Sequence, residues 1–439
     1  MIANFWSHWI PFEQAGTTII KTAWPLPCSR YCFVADVEAI KIIFNNRHGF
    51  EKEIQIASSH FCMIISFFGD NIVGVEGYQW VLHRSIARKS FGERNDALLW
   101  HETVSTLEQW FSEWDEKILL SKTQSTIVNI TPALHDLTLI WHALRPQDTG
   151  TPCYTMSFGE LLFVAIETMI VKVVTPRWMY QLPITKLQQS DTAYTELRNY
   201  IVDMIAAQRN GKQPGSEASK EVADLFRRLV AANEEEELVL ETSAHTITFA
   251  LALLAIQPDI QDNVFREATA VWPEWATSSL SDTINCCDFI LSLEYTLAVF
   301  RETLRLFPPV VRTKRDATSD TTLPSRVRDP QTGSWKAAPV AVPAGTACVV
   351  CIHAAHMSPL YWGEDVSHFR PEHFMDTADY QWPRDAWIPF TAGPRVYRLL
   401  PPPELDGLSR EQQRTKLTKW MPGVTATPGN VNLVFEPRN

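Results

Sequence analysis

The sequence is short of positive charge. Lys and Arg total 39 against 50 Asp and Glu, a formal charge of −11 over 439 residues. Phosphate backbones are gripped by clustered basic side chains, so this balance argues against a nucleic-acid partner. Long apolar runs are missing as well. Nowhere do about 20 consecutive apolar residues occur, the length a bilayer-spanning helix needs, so no membrane span is expected. The opening stretch MIANFWSHWIPFEQAG is aromatic, but His8, Pro11 and Glu13 interrupt it. It lacks a basic leader and does not read as a signal peptide. Cysteine is sparse: eight residues, scattered apart from the neighbours Cys286 and Cys287. No zinc ribbon is expected, and the thiols read as reduced and mostly buried in an intracellular protein. Internal repeats and long low-complexity segments are also absent.

What is present is enough apolar material for a large core, 45% of the residues, in a mainly helical pattern. Residues 34–48 place apolar side chains at helical spacing and run into His48-Gly49, a helix stop. Residues 95–118 and 191–209 repeat the amphipathic pattern, and 211–220 is a polar Gly/Pro/Ser stretch suited to an exposed loop. A long helix is expected from Asn233, its N-cap, with four glutamates in the first turns, where the helix dipole favours negative charge. Its second half is apolar on nearly every face and should be deeply buried. Residues 291–306 form another helix, ended by Pro308-Pro309. Turn signals and β-branched runs after residue 320 read as a small sheet. From 358 to 397 the chain is rich in Pro, Gly and aromatics without a period, and irregular stretches of that length are usually functional.

Several polar residues stand out against this background. Glu302 and Arg305 lie three apart on one face of an otherwise apolar helix. Trp80 and Arg84, four apart, can present an indole N–H and a guanidinium to one anion. Glu241 and Thr242 sit in the most apolar helix, where a carboxylate is costly without a partner. The loop WIPFTAGPRVY, 387–397, presents Arg395 and then Tyr397 after a Gly-Pro turn.

In this order the motifs resemble the cytochrome P-450 family of haem-thiolate monooxygenases, the fungal microsomal type in particular. GVEGYQWVLHR is similar to the family's W-x-x-x-R helix, ETSAHT to its distal acid–alcohol motif and ETLR to E-x-x-R. YWGEDVSHFRPEHF is similar to its meander, PFTAGPRV to the start of F-x-x-G-x-R-x-C, and GVTATPGNVNLVFEPR to its C-terminal hairpin. The resemblance implies one domain over 1–439 with the mainly α cytochrome P-450 fold and a small β region. Within it, 1–31 is divergent, 397–422 aberrant and 423–438 the hairpin. It further implies a haem cofactor and NADPH- and O₂-dependent hydroxylation of a small apolar organic substrate. Electrons would come from NADPH-cytochrome P-450 reductase, at the surface of the endoplasmic reticulum membrane. Trp80, Arg84, Arg315 (with Arg312 as runner-up) and Arg395 would contact the haem propionates. Glu241 and Thr242 would deliver protons during oxygen activation, and Glu302, Arg305 and His373 would be structural.

Three departures qualify this reading. The position of the axial cysteine holds Tyr397, no cysteine follows it, and Pro401 to Pro403 break the helix expected next. The distal helix has the acidic run directly before Leu238, so about four turns of it are missing relative to the family. The arginine of the P-x-R-F motif is His373, which replaces a guanidinium only when protonated. The alternative implied is an inactive relative, or a mispredicted gene product, that lacks the haem-ligating cysteine. A phenolate ligand at Tyr397, as in catalases, is a further reading.

Overall fold

The computed structural model describes residues 9–24, 29–46, 48–51, 93–121, 126–130, 177–209, 237–272, 292–391 and 432–435, with scattered positions between 78 and 175. The helices in chain order are α1 (Ile10–Ala15), α2 (Val37–Asn45), α3 (Glu93–Ser121), α4 (Thr185–Arg209), α5 (Glu237–Ile256), α6 (Pro258–Val271), α7 (Glu294–Leu306), α8 (Ile352–His356) and α9 (Pro359–Trp362). The strands are β1 (Ile19–Trp24), β2 (Ser29–Val34), β3 (Phe50–Glu51), β4 (Thr126–Asn129), β5 (Arg312–Ala317), β6 (Thr321–Leu323), β7 (Arg326–Arg328), β8 (Trp335–Ala337), β9 (Val340–Val342), β10 (Ala347–Cys351) and β11 (Asn432–Phe435). Packing divides the chain into two compact units, residues 1–53 with 245–433 and residues 54–244 with 434–439.

The first unit is built on a five-stranded sheet in the order β1-β2-β10-β5-β3. Only the β2–β10 pair is parallel, with Cys348 opposite Cys32. Against the sheet lies α2, whose Ile40, Ile43 and Phe44 enter one apolar cluster with Val34 and Val350. That helix starts later than its spacing predicts. Asp36 takes an extended conformation and its carboxylate accepts from the Glu38 and Ala39 amides, an N-cap that fixes the first turn. Phe33 and Val34 are left to β2, where a β-branched or aromatic side chain fits the pleat. Thr18 donates to the other Asp36 oxygen at 3.0 Å, tying the cap to β1.

Helix α7 stops at Leu306, as Pro308 requires. The small sheets β6–β9 and β7–β8 occupy the expected region. Beyond α9, residues 363–391 carry only two 3-10 turns, Pro371–Phe374 and Arg384–Ala386. Thr391 has φ +69°, rare for a β-branched residue, so the chain turns sharply as it enters the Gly-Pro loop.

In the second unit, α3 extends the first predicted amphipathic helix at both ends, and α4 starts earlier than the second but ends with it at Arg209. Leu161, Ala165, Ala193 and Leu197 form its apolar centre. Strand β11 pairs with β4, and the rest of the expected C-terminal hairpin lies outside the described residues. Helix α5 begins at Glu237. The expected cap at Asn233 and the loop at 211–220 are likewise outside the description. Among the described residues no helix is long and apolar enough to cross a membrane.

Candidate functional site

Helix α7 carries the site, and a second helix holds its start. The Glu267 carboxylate on α6 accepts from the Tyr295 amide at 2.7 Å, the Thr296 amide at 2.8 Å and the Thr296 hydroxyl at 2.7 Å. These amides are orphan donors of the first turn, and a carboxylate there is also stabilised by the positive end of the helix dipole. At the other end Phe307 stacks on Phe249 of α5 with ring centroids 4.2 Å apart.

On the buried face of α7, Glu302 and Arg305 are both 0% exposed. Arg305 grips the carboxylate two-pronged, with Nε to Oε2 and Nη2 to Oε1 both 2.7 Å. Its remaining donors reach the irregular chain: Nη1 to the His356 carbonyl at 3.0 Å, Nη2 to the His368 carbonyl at 3.2 Å. The Trp362 ring covers the guanidinium at 5.4 Å. Glu302 Oε1 also accepts from the Arg370 amide at 3.0 Å and lies 3.1 Å from Nδ1 of His373, itself buried. The second ring nitrogen of His373 is 3.3 Å from Asp365 Oδ1, and Asp365 pairs with Arg370. Burial alone would push the Glu302 carboxyl up. Hydrogen bonds from Arg305 and His373 outweigh it and hold the group below the usual carboxylate range. An ion pair this buried survives because nearly every lone pair and N–H is used.

His356 joins this knot to the segment that enters the Gly-Pro loop. Its Nε2 accepts from the Ile388 amide at 2.9 Å, and its Nδ1 lies 3.1 Å from the Arg305 carbonyl. A backbone amide only donates, so the proton sits on Nδ1 and the ring is neutral. Burial, reinforced by His353 and the Arg305 charge, drives the pKa of His356 well below its ordinary value. Trp387 adds a second tie, donating from Nε1 to the Arg301 carbonyl at 3.2 Å. Sequence reasoning missed His356 and Asp365. The one available signal for His356 was a histidine set among small residues in IHAAH, directly after a strand.

The structure thus brings together Glu302, Arg305 and His373. Arg315 stands on β5, half-buried, with Nη1 bonded to the Lys314 carbonyl at 2.7 Å and its guanidinium 5.5 Å from the Phe44 centroid. Arg312 opens the same strand and is exposed. Arg84 is half-buried in the second unit. Glu241 and Thr242 lie on α5, with their side chains outside the described residues. Trp80, Arg395 and Tyr397 lie outside the described residues altogether.

The described thiols lie in the sheet. Cys32, Cys348 and Cys351 are free and buried on the adjacent strands β2 and β10. Cys348 and Cys351 have C-x-x-C spacing. On a strand that spacing sends the two side chains to opposite faces. Among the described residues no cluster of three or more metal-binding side chains forms. Burial raises the Cys351 thiol to about 11. Contact with Cys32 and burial raise Cys348 as well. These are packed core groups, and the remaining cysteines all precede Cys348 in the chain. The residues present do not supply a thiolate in the proximal loop.

The family model described as Cytochrome P-450 matches residues 188–396, ending one residue before Tyr397. Cytochrome P-450 monooxygenase 124 of Postia placenta is 31% identical over 97% of this chain and 87% of its own. That alignment runs over 482 positions, more than this chain's 439, so the relative carries segments that have no counterpart here. A cytochrome P-450 of Arabidopsis thaliana is 25% identical over 90% of this chain and 73% of its own. One of Candida maltosa is 24% identical over 83% and 71%. With its helical body, small sheets and buried Glu302–Arg305 pair, the chain belongs to the cytochrome P-450 family of monooxygenases, mainly α oxidoreductases whose cofactor is haem.

Proposed function

We propose that the scaffold is that of a haem-dependent monooxygenase that hydroxylates a small apolar organic substrate, with O₂ and electrons passed from NADPH by a flavoprotein reductase. The observation that supports this is the buried knot of Glu302, Arg305 and His373, which ties α7 to the meander leading into the Gly-Pro loop. In this reading Trp80, Arg84, Arg315 and Arg395 hold the haem propionates, since an anionic cofactor needs several donors. Glu241 and Thr242 are the proton-carrying pair of the distal side. The site of action is the endoplasmic reticulum membrane surface.

A specific observation favours the second reading for the chain as it stands, a non-catalytic relative. The family reaction depends on a strongly donating axial thiolate. Position 397 is Tyr, and the described thiols are packed within a sheet. A phenolate is a harder donor that favours ferric iron. The test is the purified chain reconstituted with haemin and reduced under carbon monoxide. The non-catalytic reading expects no thiolate-type band, the one that gives the family its name. Such a band would restore the active reading. A ferric phenolate charge-transfer band would instead point to Tyr397 as ligand.

A further inference from the structure

His373 occupies the place where the family sets an arginine, and a neutral imidazole cannot do what a guanidinium does there. The structure suggests how the chain compensates. Nδ1 of His373 lies 3.1 Å from Glu302 Oε1, and Nε2 lies 3.3 Å from Asp365 Oδ1. Each ring nitrogen therefore faces a carboxylate oxygen. In a neutral imidazole one nitrogen has a lone pair and no proton. Whichever tautomer formed, the lone pair of a ring itself sealed from water would point at an anionic oxygen, a repulsive contact.

We propose that His373 works as a fixed imidazolium and that Asp365 is the positioning residue that keeps it so, the two together standing in for the family's arginine.

The surrounding charges support this. Glu302 and Asp365 are both held below the ordinary carboxylate range. In each, burial works upward, and a cation independent of the ring opposes it: Arg305 grips Glu302 and Arg370 pairs with Asp365. As carboxylates they can only accept, so both ring nitrogens donate. Charged groups then alternate along one line: Arg305, Glu302, His373, Asp365, Arg370. Trp362 closes the remaining side, with its ring centroid 6.3 Å from that of His373. Asp365 and Arg370 form the partly exposed end of this line. Asp365 is the member bonded to the ring that can be altered without emptying the core. The inference deepens the scaffold reading above, because the knot it completes is the one that fixes the meander.

The test uses the full chain without haem, labelled with ¹⁵N-histidine, with His373→Gln to assign the resonance. The wild-type spectrum at neutral pH is expected to show both His373 ring nitrogens protonated. In Asp365→Asn one of them loses its proton. Urea unfolding supplies the second readout. Losing a charge-assisted hydrogen bond should raise the unfolding constant of Asp365→Asn about tenfold or more in the wild-type background. In a His373→Arg background the same substitution should change it less than about threefold, because a guanidinium stays charged without help. A neutral His373 ring in the wild-type spectrum overturns the proposal, and so do equal penalties in the two backgrounds. If a variant fails to fold, the wild-type spectrum alone decides. A missing carbon monoxide band bears on Tyr397 and leaves this result standing.

Discussion

Replacing Arg305 by Met removes the centre of the buried knot and leaves the shape of α7 nearly intact. Three consequences follow from the contacts. The Glu302 carboxylate loses both 2.7 Å donors in a site with no exposure. The carbonyls of His356 and His368 lose donors at 3.0 and 3.2 Å. Trp362 loses the cation on its ring. Breaking one side of a buried pair typically costs about 3–5 kcal/mol, because the other charge stays behind. Protonation of Glu302 limits the loss, and the orphaned carbonyls add to it, so the expected destabilisation stays in that range. Urea unfolding followed by near-ultraviolet circular dichroism measures it, because Trp362 and Trp387 report on the same region. The double variant Glu302→Gln/Arg305→Met should recover part of the loss by removing the stranded charge. A penalty below about 1 kcal/mol for Arg305→Met, the size of a surface pair, would refute the reasoning.

Acid should weaken the fold in two steps. The pKa of His356 is depressed on folding, so its stabilisation is complete above the unfolded value of about 6.5 and is lost as pH falls below it. Glu302 is also depressed, so its share is present above its unfolded value and disappears at lower pH. Urea midpoints should fall as pH drops from about 6.5 to 4, and His356→Leu should flatten the upper part of that fall. Asp36→Ala removes a cap that serves two amides and Thr18, and should destabilise by about 1–2 kcal/mol in thermal or urea unfolding. Tyr397→Cys alone should give no NADPH- and reductase-driven turnover. Pro401 to Pro403 remain in the sequence after the restored thiol, and product analysis with a panel of apolar substrates checks this.

What the sequence determined by itself is local. Periodicity placed α3, α4 and α7, because a helix closes its bonds within a few residues and writes its buried face at fixed spacing. The order of short motifs carried the family, and the three-residue spacing of Glu302 and Arg305 already put them on one helix face. The start of α2 was misplaced by local reasoning, because the sheet claimed Phe33 and Val34. Only the tertiary structure decided that the Glu302–Arg305 pair is sealed from water. Isolated pairs of that spacing usually decorate solvated surfaces. Asp365 and His373 sit in a stretch without a period, and His356 reaches Ile388 across 32 residues. Nothing local to those residues says they meet. Their partners are set by how the irregular chain folds back over α7, and burial then turns a modest charge pattern into a fixed network.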